Sequence, residues 1–203
     1  MGTVGDLWGI FGVHDLYVAS SWIWPAFWVL WLVWGLITTR QRAVVKGDGG
    51  ISPTIRLVVI LVALVYFGPH FPSYLQARAL WPGYSSLMAA GFLLEVLGLG
   101  LAVWARYYLG SFWSSAAVLR EGHRVVDTGP YRLVRHPIYS GILLALLGTF
   151  LMAGSTLWLG ILVVVVVIFG WKIRAEERLL TTELGEEYVN YRSRTRRLIP
   201  WLL

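Results

Sequence analysis

The residues able to do chemistry are concentrated in two polar stretches of an otherwise apolar chain. The first, His123 to Gly141, reads HRVVDTGPYRLVRHPIYSG and gathers Tyr131, Arg132, Arg135 and His136 between two turn signals, with Tyr139 just beyond the second. Gly129-Pro130 marks one turn, and Pro137 fixes its own φ while pushing His136 away from helical geometry. The second runs from Lys172 onward and supplies Glu176, Glu177 and the arginines 192, 194, 196 and 197. Clustered hydrogen-bond donors beside helix ends are what a small polar cofactor at a membrane face needs. A basic loop that only sets membrane topology is the plainer reading of the same residues.

Other chemistries lack their residues. The chain has no cysteine, which removes disulfides, thiolate nucleophiles and Cys-ligated zinc. His123 and His136 have no supporting ligand cluster, so no metal is expected. A nucleophile elbow for serine hydrolysis is missing. Leu97-Gly98-Leu99-Gly100 is not a dinucleotide fingerprint, because no strand precedes it, and no Rossmann domain is expected. The formal charge of +6 could suggest nucleic acid. The lysines and arginines fall in particular loops instead, the positive-inside pattern, and no nucleic-acid partner is expected.

These stretches must be held by membrane elements. Over 203 residues the chain is 57% hydrophobic and only 14% charged, with mean hydropathy +0.65. Such a composition predicts an all-α integral membrane protein of about five transmembrane helices with a C-terminal cytoplasmic helical segment. The first span is expected from about Tyr17 to Ile37, kinked at Pro25, with tryptophans as interfacial anchors. Without Lys or Arg before Arg40, it reads as a retained span rather than a signal peptide. Residues 1–16 could lie along the interface or be disordered. A second span is expected from about Ile55 to Phe71, and a third from Leu87 to about Tyr108. Gly98 and Ala102, spaced four apart, suggest close packing of that third helix. Glu95 within it reads equally as a functional group or as an interhelical hydrogen bond.

After the polar loop, two short apolar runs broken at Gly154-Ser155 predict a tight helical hairpin. Beyond Trp171 the second arm continues as a charged helix, breaks near Gly185, and is followed by a short helix and a tail stopped by Pro200. Counting cations orients the N-terminus outside and the C-terminus in the cytoplasm, with both polar stretches on the cytoplasmic side. Residues 1–110 form an N-terminal set of membrane helices, and residues 111–203 carry the chemistry.

His123, Gly129, Tyr131, Arg135-His136-Pro137, Tyr139 and Gly141 resemble the loop of isoprenylcysteine carboxyl methyltransferases, and related membrane phospholipid methyltransferases carry a similar Arg-His-Pro-x-Tyr element. Glu176-Glu177, Leu180, Gly185-Glu186-Glu187-Tyr188, Tyr191, Arg194 and Pro200 resemble that family's C-terminal block. The resemblance covers the C-terminal half, from about the third span onward. It implies S-adenosylmethionine as cofactor, held by His123, Val125, Gly129, Tyr131, Arg135, His136, Pro137, Tyr139 and Glu176. It also implies a lipophilic small-molecule or lipidated acceptor reached through membrane lipid.

Two acceptor chemistries follow. A prenylcysteine-like carboxylate is ionised at neutral pH and needs no base. The protein then supplies alignment and exclusion of water, and Arg194 could hold the carboxylate through its planar fork. An amine, as in phospholipid N-methylation, must lose a proton, which suits a glutamate such as Glu177 as base. A non-catalytic membrane scaffold or small transporter is the third reading, though no internal repeat supports a transporter. The four tail arginines could equally be a polybasic attraction to anionic lipid.

Overall fold

The computed structural model describes residues 13–39, 44–46, 80–81, 85–113, 119–120, 122 and 124–200. Five α-helices are formed among them. They are α1 (Val13–Thr39), α2 (Ser85–Leu109), α3 (Pro137–Ala153), α4 (Thr156–Leu184) and α5 (Glu186–Arg194). Helices α1, α2 and α4 are long and apolar enough to cross a membrane, and α3 is a shorter apolar helix. The expected second span and the first twelve residues lie outside the described residues.

The described residues depart from an all-helical plan in one short ribbon, in which β1 (Val44–Lys46) pairs antiparallel with β2 (Leu119–Arg120). It joins the segment after α1 to the segment after α2. Both helices therefore end at the same face of the bundle, and side-chain contacts agree. Ser20 meets Glu95 near one end, and Trp31 meets Arg106 near the other, so α1 and α2 run parallel.

Helix α1 continues through Pro25. Its Trp24, Phe27, Trp28 and Trp31 are buried at the i, i+3, i+4, i+7 spacing of one helical face. These aromatics fill the bundle rather than anchor it at the interface, because α2 and α3 lie along that face. Glu95 is fully buried in α2. Its two oxygens accept from Ser20 Oγ of α1, at 3.0 and 2.9 Å, and Oε2 lies 3.1 Å from Thr149 Oγ1 of α3. Trp24 Nε1 in turn donates to Thr149 Oγ1 at 3.0 Å. Of the two readings of Glu95, the structure displays the interhelical hydrogen bond.

Helix α3 runs antiparallel to α2, and small residues let the backbones nearly touch. A Cβ on Gly98 would lie 2.5 Å from the Ala145 nitrogen and the Gly141 oxygen, and one on Gly141 would lie 2.7 Å from the Ala102 nitrogen. This is the close packing read from Gly98 and Ala102. The hairpin turns at Gly154, whose left-handed φ of 57° lets its N–H bond the Phe150 carbonyl at 2.8 Å. Trp81 fills the space where a Cβ would stand. Ser155 caps α4 by accepting from the Trp158 N–H. At 1.5 Å per residue the 29 residues of α4 extend about 44 Å, against a hydrocarbon core of about 30 Å. The charged part beyond Trp171 is the excess.

Candidate functional site

The polar loop lies at the end of the bundle where α2 finishes and α3 begins. Gly129 opens a 3-10 turn (Gly129–Arg132) at φ 57°, with the Tyr108 ring 2.6 Å from where its Cβ would be. No other residue type combines that φ with that contact. The turn buries Pro130 and Tyr131, and Tyr191 Oη of α5 donates to the Tyr131 carbonyl at 2.8 Å. His136 then precedes α3 with non-helical φ and ψ of −124° and 56°, and the buried Pro137 takes the first helical position, where its missing N–H costs nothing.

The tail beyond α5 docks along this loop as a short strand-like segment. Arg135 N–H donates to the Arg196 carbonyl at 2.7 Å, and His136 N–H to the Arg197 carbonyl at 3.0 Å. Ser140 Oγ donates to the Leu198 carbonyl at 2.6 Å. Side chains repeat the fastening around Glu177, which is only 3% exposed. Arg135 Nε donates to Glu177 Oε1 at 2.9 Å, and Arg197 reaches Oε2 with Nε at 3.1 Å and Nη2 at 3.0 Å. Arg135 Nη1 also donates to the carbonyls of Arg192 (3.2 Å) and Thr195.

The neighbouring Glu176 points into a different cluster. Tyr139 Oη donates to its Oε1 at 2.6 Å, Lys172 Nζ stands 3.8 Å from the same oxygen, and His136 Nδ1 stands 3.7 Å from Oε2. The His136 and Tyr139 rings stack at 5.5 Å, and Tyr139 rests on Phe169 at 4.6 Å. His136 Nε2 is buried without a hydrogen bond among the described residues, 3.5 Å from Glu177 Oε1. Burial pushes the phenols of Tyr131 and Tyr191 up from their ordinary range.

The residues expected to hold a cofactor thus fall into one connected region. Gly129, Tyr131, Arg135, His136, Pro137, Tyr139 and Glu176 all belong to it. Val125 borders it, its N–H donating to Glu187 Oε1 of α5 at 3.2 Å. His123 lies outside the described residues. Arg194 is placed apart, with a side chain 64% exposed and paired to Asp127 at 2.9 Å. It borders a 260 Å³ surface cleft with Arg132, Thr195 and Arg196.

Residues 86–187, about half of the chain, match the family model described as phospholipid methyltransferase. The chain belongs to that family. The matched stretch begins at the start of α2, includes the polar loop and the hairpin, and ends in the first turn of α5. Protein-S-isoprenylcysteine O-methyltransferase B of Arabidopsis thaliana is 35% identical over 40% of this chain and 42% of its own length. Methanethiol S-methyltransferase 1 of Bradyrhizobium diazoefficiens is 37% identical over 35% of this chain and 24% of its own length. The alignments thus span well under two thirds of these curated relatives. Among solved structures, a eukaryotic intramembrane Ras methyltransferase, isoprenylcysteine carboxyl methyltransferase, superposes with a TM-score of 0.53 at 22% identity. The match covers 76% of this chain and 54% of that one, and shares the helical membrane fold.

Three participants escaped the sequence reading. Lys172 pairs with Glu176 at the i, i+4 spacing, a signal that was legible. Asp127, the partner of Arg194, left none, because 67 residues separate the two. Arg197 reads as one of four interchangeable tail cations but closes the Glu177 cluster, which only the docking of the tail reveals.

Proposed function

We propose that this chain is an integral-membrane methyltransferase that uses S-adenosylmethionine to methylate the carboxylate of a lipophilic, prenylcysteine-like acceptor. The observation that carries the reading is the connected set of Tyr139, Glu176 and His136, in which the buried His136 Nε2 has no hydrogen-bond partner among the described residues and comes no nearer than 3.5 Å to Glu177 Oε1. Such a donor and acceptor set suits a zwitterionic nucleoside better than a basic loop that only sets topology. When bound, S-adenosylmethionine supplies an electrophilic methyl group on a sulfonium. Its proposed site is the loop from His123 to Tyr139 together with Glu176. Tyr139 offers its hydroxyl, and Glu176 a carboxylate for an ammonium or a ribose diol, with Tyr131 and His136 as neighbouring walls.

Glu177 serves this reading as a positioning residue. Both of its oxygens already accept from arginine, so it is poorly placed to take a proton from an amine acceptor. That favours a carboxylate acceptor over phospholipid N-methylation, which the family model's description otherwise keeps in view. Arg194 is the proposed acceptor contact, exchanging Asp127 for the acceptor carboxylate at the membrane face. The chemistry belongs to residues 111–203, with α1 and α2 as its wall. We place the N-terminus outside and the site on the cytoplasmic side, which tags on either terminus test by accessibility in intact cells.

Calorimetry with S-adenosylhomocysteine tests the site. His136→Ala and Tyr131→Ala are expected to weaken binding at least about tenfold, roughly 1.4 kcal/mol, while the protein still inserts and purifies. Unchanged affinity in both returns the loop to a purely structural role, and no binding by the wild type leaves the scaffold reading. An acceptor screen with radiolabelled cofactor then separates esters, which release methanol in mild base, from methylated amines, which do not.

A further inference from the structure

At the end of α2, on the face of the bundle that carries the polar loop, Arg106 is only 1% exposed. Its guanidinium carbon lies 3.6 Å from the centroid of the Trp113 ring, 4.2 Å from Trp31 and 5.4 Å from Trp34. Among the described residues, none of Nε, Nη1 and Nη2 has a hydrogen-bond partner. A guanidinium carries five N–H donors and stays charged in proteins. Sealing it with none of them satisfied by a described residue is costly, and ring faces recover only part of that cost. Being at the C-terminal end of a helix helps the positive charge but accepts no hydrogen bond from it. The buried acid of the same helix, Glu95, is eleven residues back, about 16 Å along the axis, and is occupied by Ser20 and Thr149.

We propose that Arg106 and its tryptophans form a closed site for the oxyanion head of a membrane amphiphile, a carboxylate or a phosphate on an apolar tail. The planar fork matches either oxyanion. Trp34 and Trp113 are only half-buried, so a rotation of either ring uncovers the guanidinium. An amphiphile fits better than a free ion, because exposed apolar residues of α1, among them Val33 and Ile37, lie beside the cage to receive the tail. The site is separate from Arg194 and does not depend on the methyl-transfer reading.

The test uses the full chain purified in a zwitterionic detergent and native mass spectrometry with four probes. These are oleate, dioleoyl phosphatidic acid, oleyl alcohol and dioleoyl phosphatidylcholine. Wild type is expected to bind oleate or phosphatidic acid at least tenfold more tightly than its matched neutral or zwitterionic probe. The better of the two identifies the head as carboxylate or phosphate. Arg106→Gln is expected to abolish that preference, and Arg192→Gln to keep it. No preference in wild type, or the same preference in Arg106→Gln, overturns the proposal. Should Arg106→Gln fail to purify, a fatty acid with a diazirine beside its carboxylate is crosslinked to wild type. Label on peptides containing Trp31, Trp34 or Trp113, competed by oleate and not by oleyl alcohol, supports the site; label elsewhere overturns it.

Discussion

Arg135 Nε and Glu177 Oε1 lie 2.9 Å apart across 42 residues of sequence, and that bond ties the loop before α3 to the charged end of α4. Both side chains are nearly sealed from solvent. Arg197 closes the other oxygen of Glu177, so one carboxylate holds loop, helix and tail together.

Removing that carboxylate leaves buried or half-buried arginine charge uncompensated, a loss of about 3–5 kcal/mol for a buried pair. Glu177→Ala is expected to destabilise the protein by an amount in that range and to release the tail for proteolysis. Glu177→Gln keeps the shape and some acceptor capacity, so it is expected to cost less. Thermal unfolding followed by tryptophan fluorescence, with trypsin digestion of the tail, checks both. Unaltered tail protection in Glu177→Ala refutes the fastening role.

The contact between α2 and α3 is set by backbone distance. Gly98→Ala places a Cβ 2.5 Å from backbone atoms of α3, which cannot move aside as a flexible side-chain tip would. Such overpacking typically costs about 1–3 kcal/mol. Gly100, on the same helix, has nothing within 4 Å of its added Cβ. Gly100→Ala is therefore expected to be neutral or slightly stabilising, and equal melting temperatures for the two variants contradict the interface described.

Glu95 belongs to a hydrogen-bonded knot between three helices. Interhelical hydrogen bonds in membranes average about 0.6 kcal/mol and reach about 1.7. Glu95→Gln is expected to lie within about 1 kcal/mol of wild type, since an amide keeps an acceptor and fills the same space. Glu95→Ala leaves Ser20 and Thr149 without it and opens a cavity, and is expected to cost about 2 kcal/mol or more. Cofactor affinity in Glu95→Gln should match wild type; a collapse of binding with intact stability points instead to a functional carboxylate.

Much of this arrangement was legible because each level of the sequence agrees with the next. Apolar runs predicted α1, α2 and the hairpin, Gly154-Ser155 its turn, and Gly185 the break between α4 and α5. Pro137 announced the non-helical His136, whereas α3 starts at Pro137 itself, four residues before the apolar run that signalled it, because proline suits a first helical position. Local pattern could not say which partner each charge finds. Arg194 and Arg197 stand three residues apart in one basic tail, yet one meets an exposed Asp127 and the other the buried Glu177. The burial of the α1 aromatics was hidden for a related reason. A tryptophan-rich face looks the same whether lipid or another helix covers it.

The tail arginines separate the proposed chemistry from simple attraction to anionic lipid, which is worth about 1 kcal/mol per residue near the surface. Attraction alone treats exposed cations alike, so Arg194→Lys and Arg192→Lys should then both be harmless. A planar fork around an acceptor carboxylate is not reproduced by a lysine. Arg194→Lys is expected to slow single-turnover methyl transfer at least about tenfold, roughly 1.4 kcal/mol of transition-state stabilisation. Cofactor affinity should stay the same, because the residue serves the acceptor, and Arg192→Lys should stay close to wild type. Arg197 is unsuited as the control, since its side chain reaches Glu177 at 3.0 Å and Arg197→Lys loosens the tail itself. Equal rates for Arg194→Lys and Arg192→Lys, measured with whichever acceptor the screen finds, leave lipid attraction as the role of both.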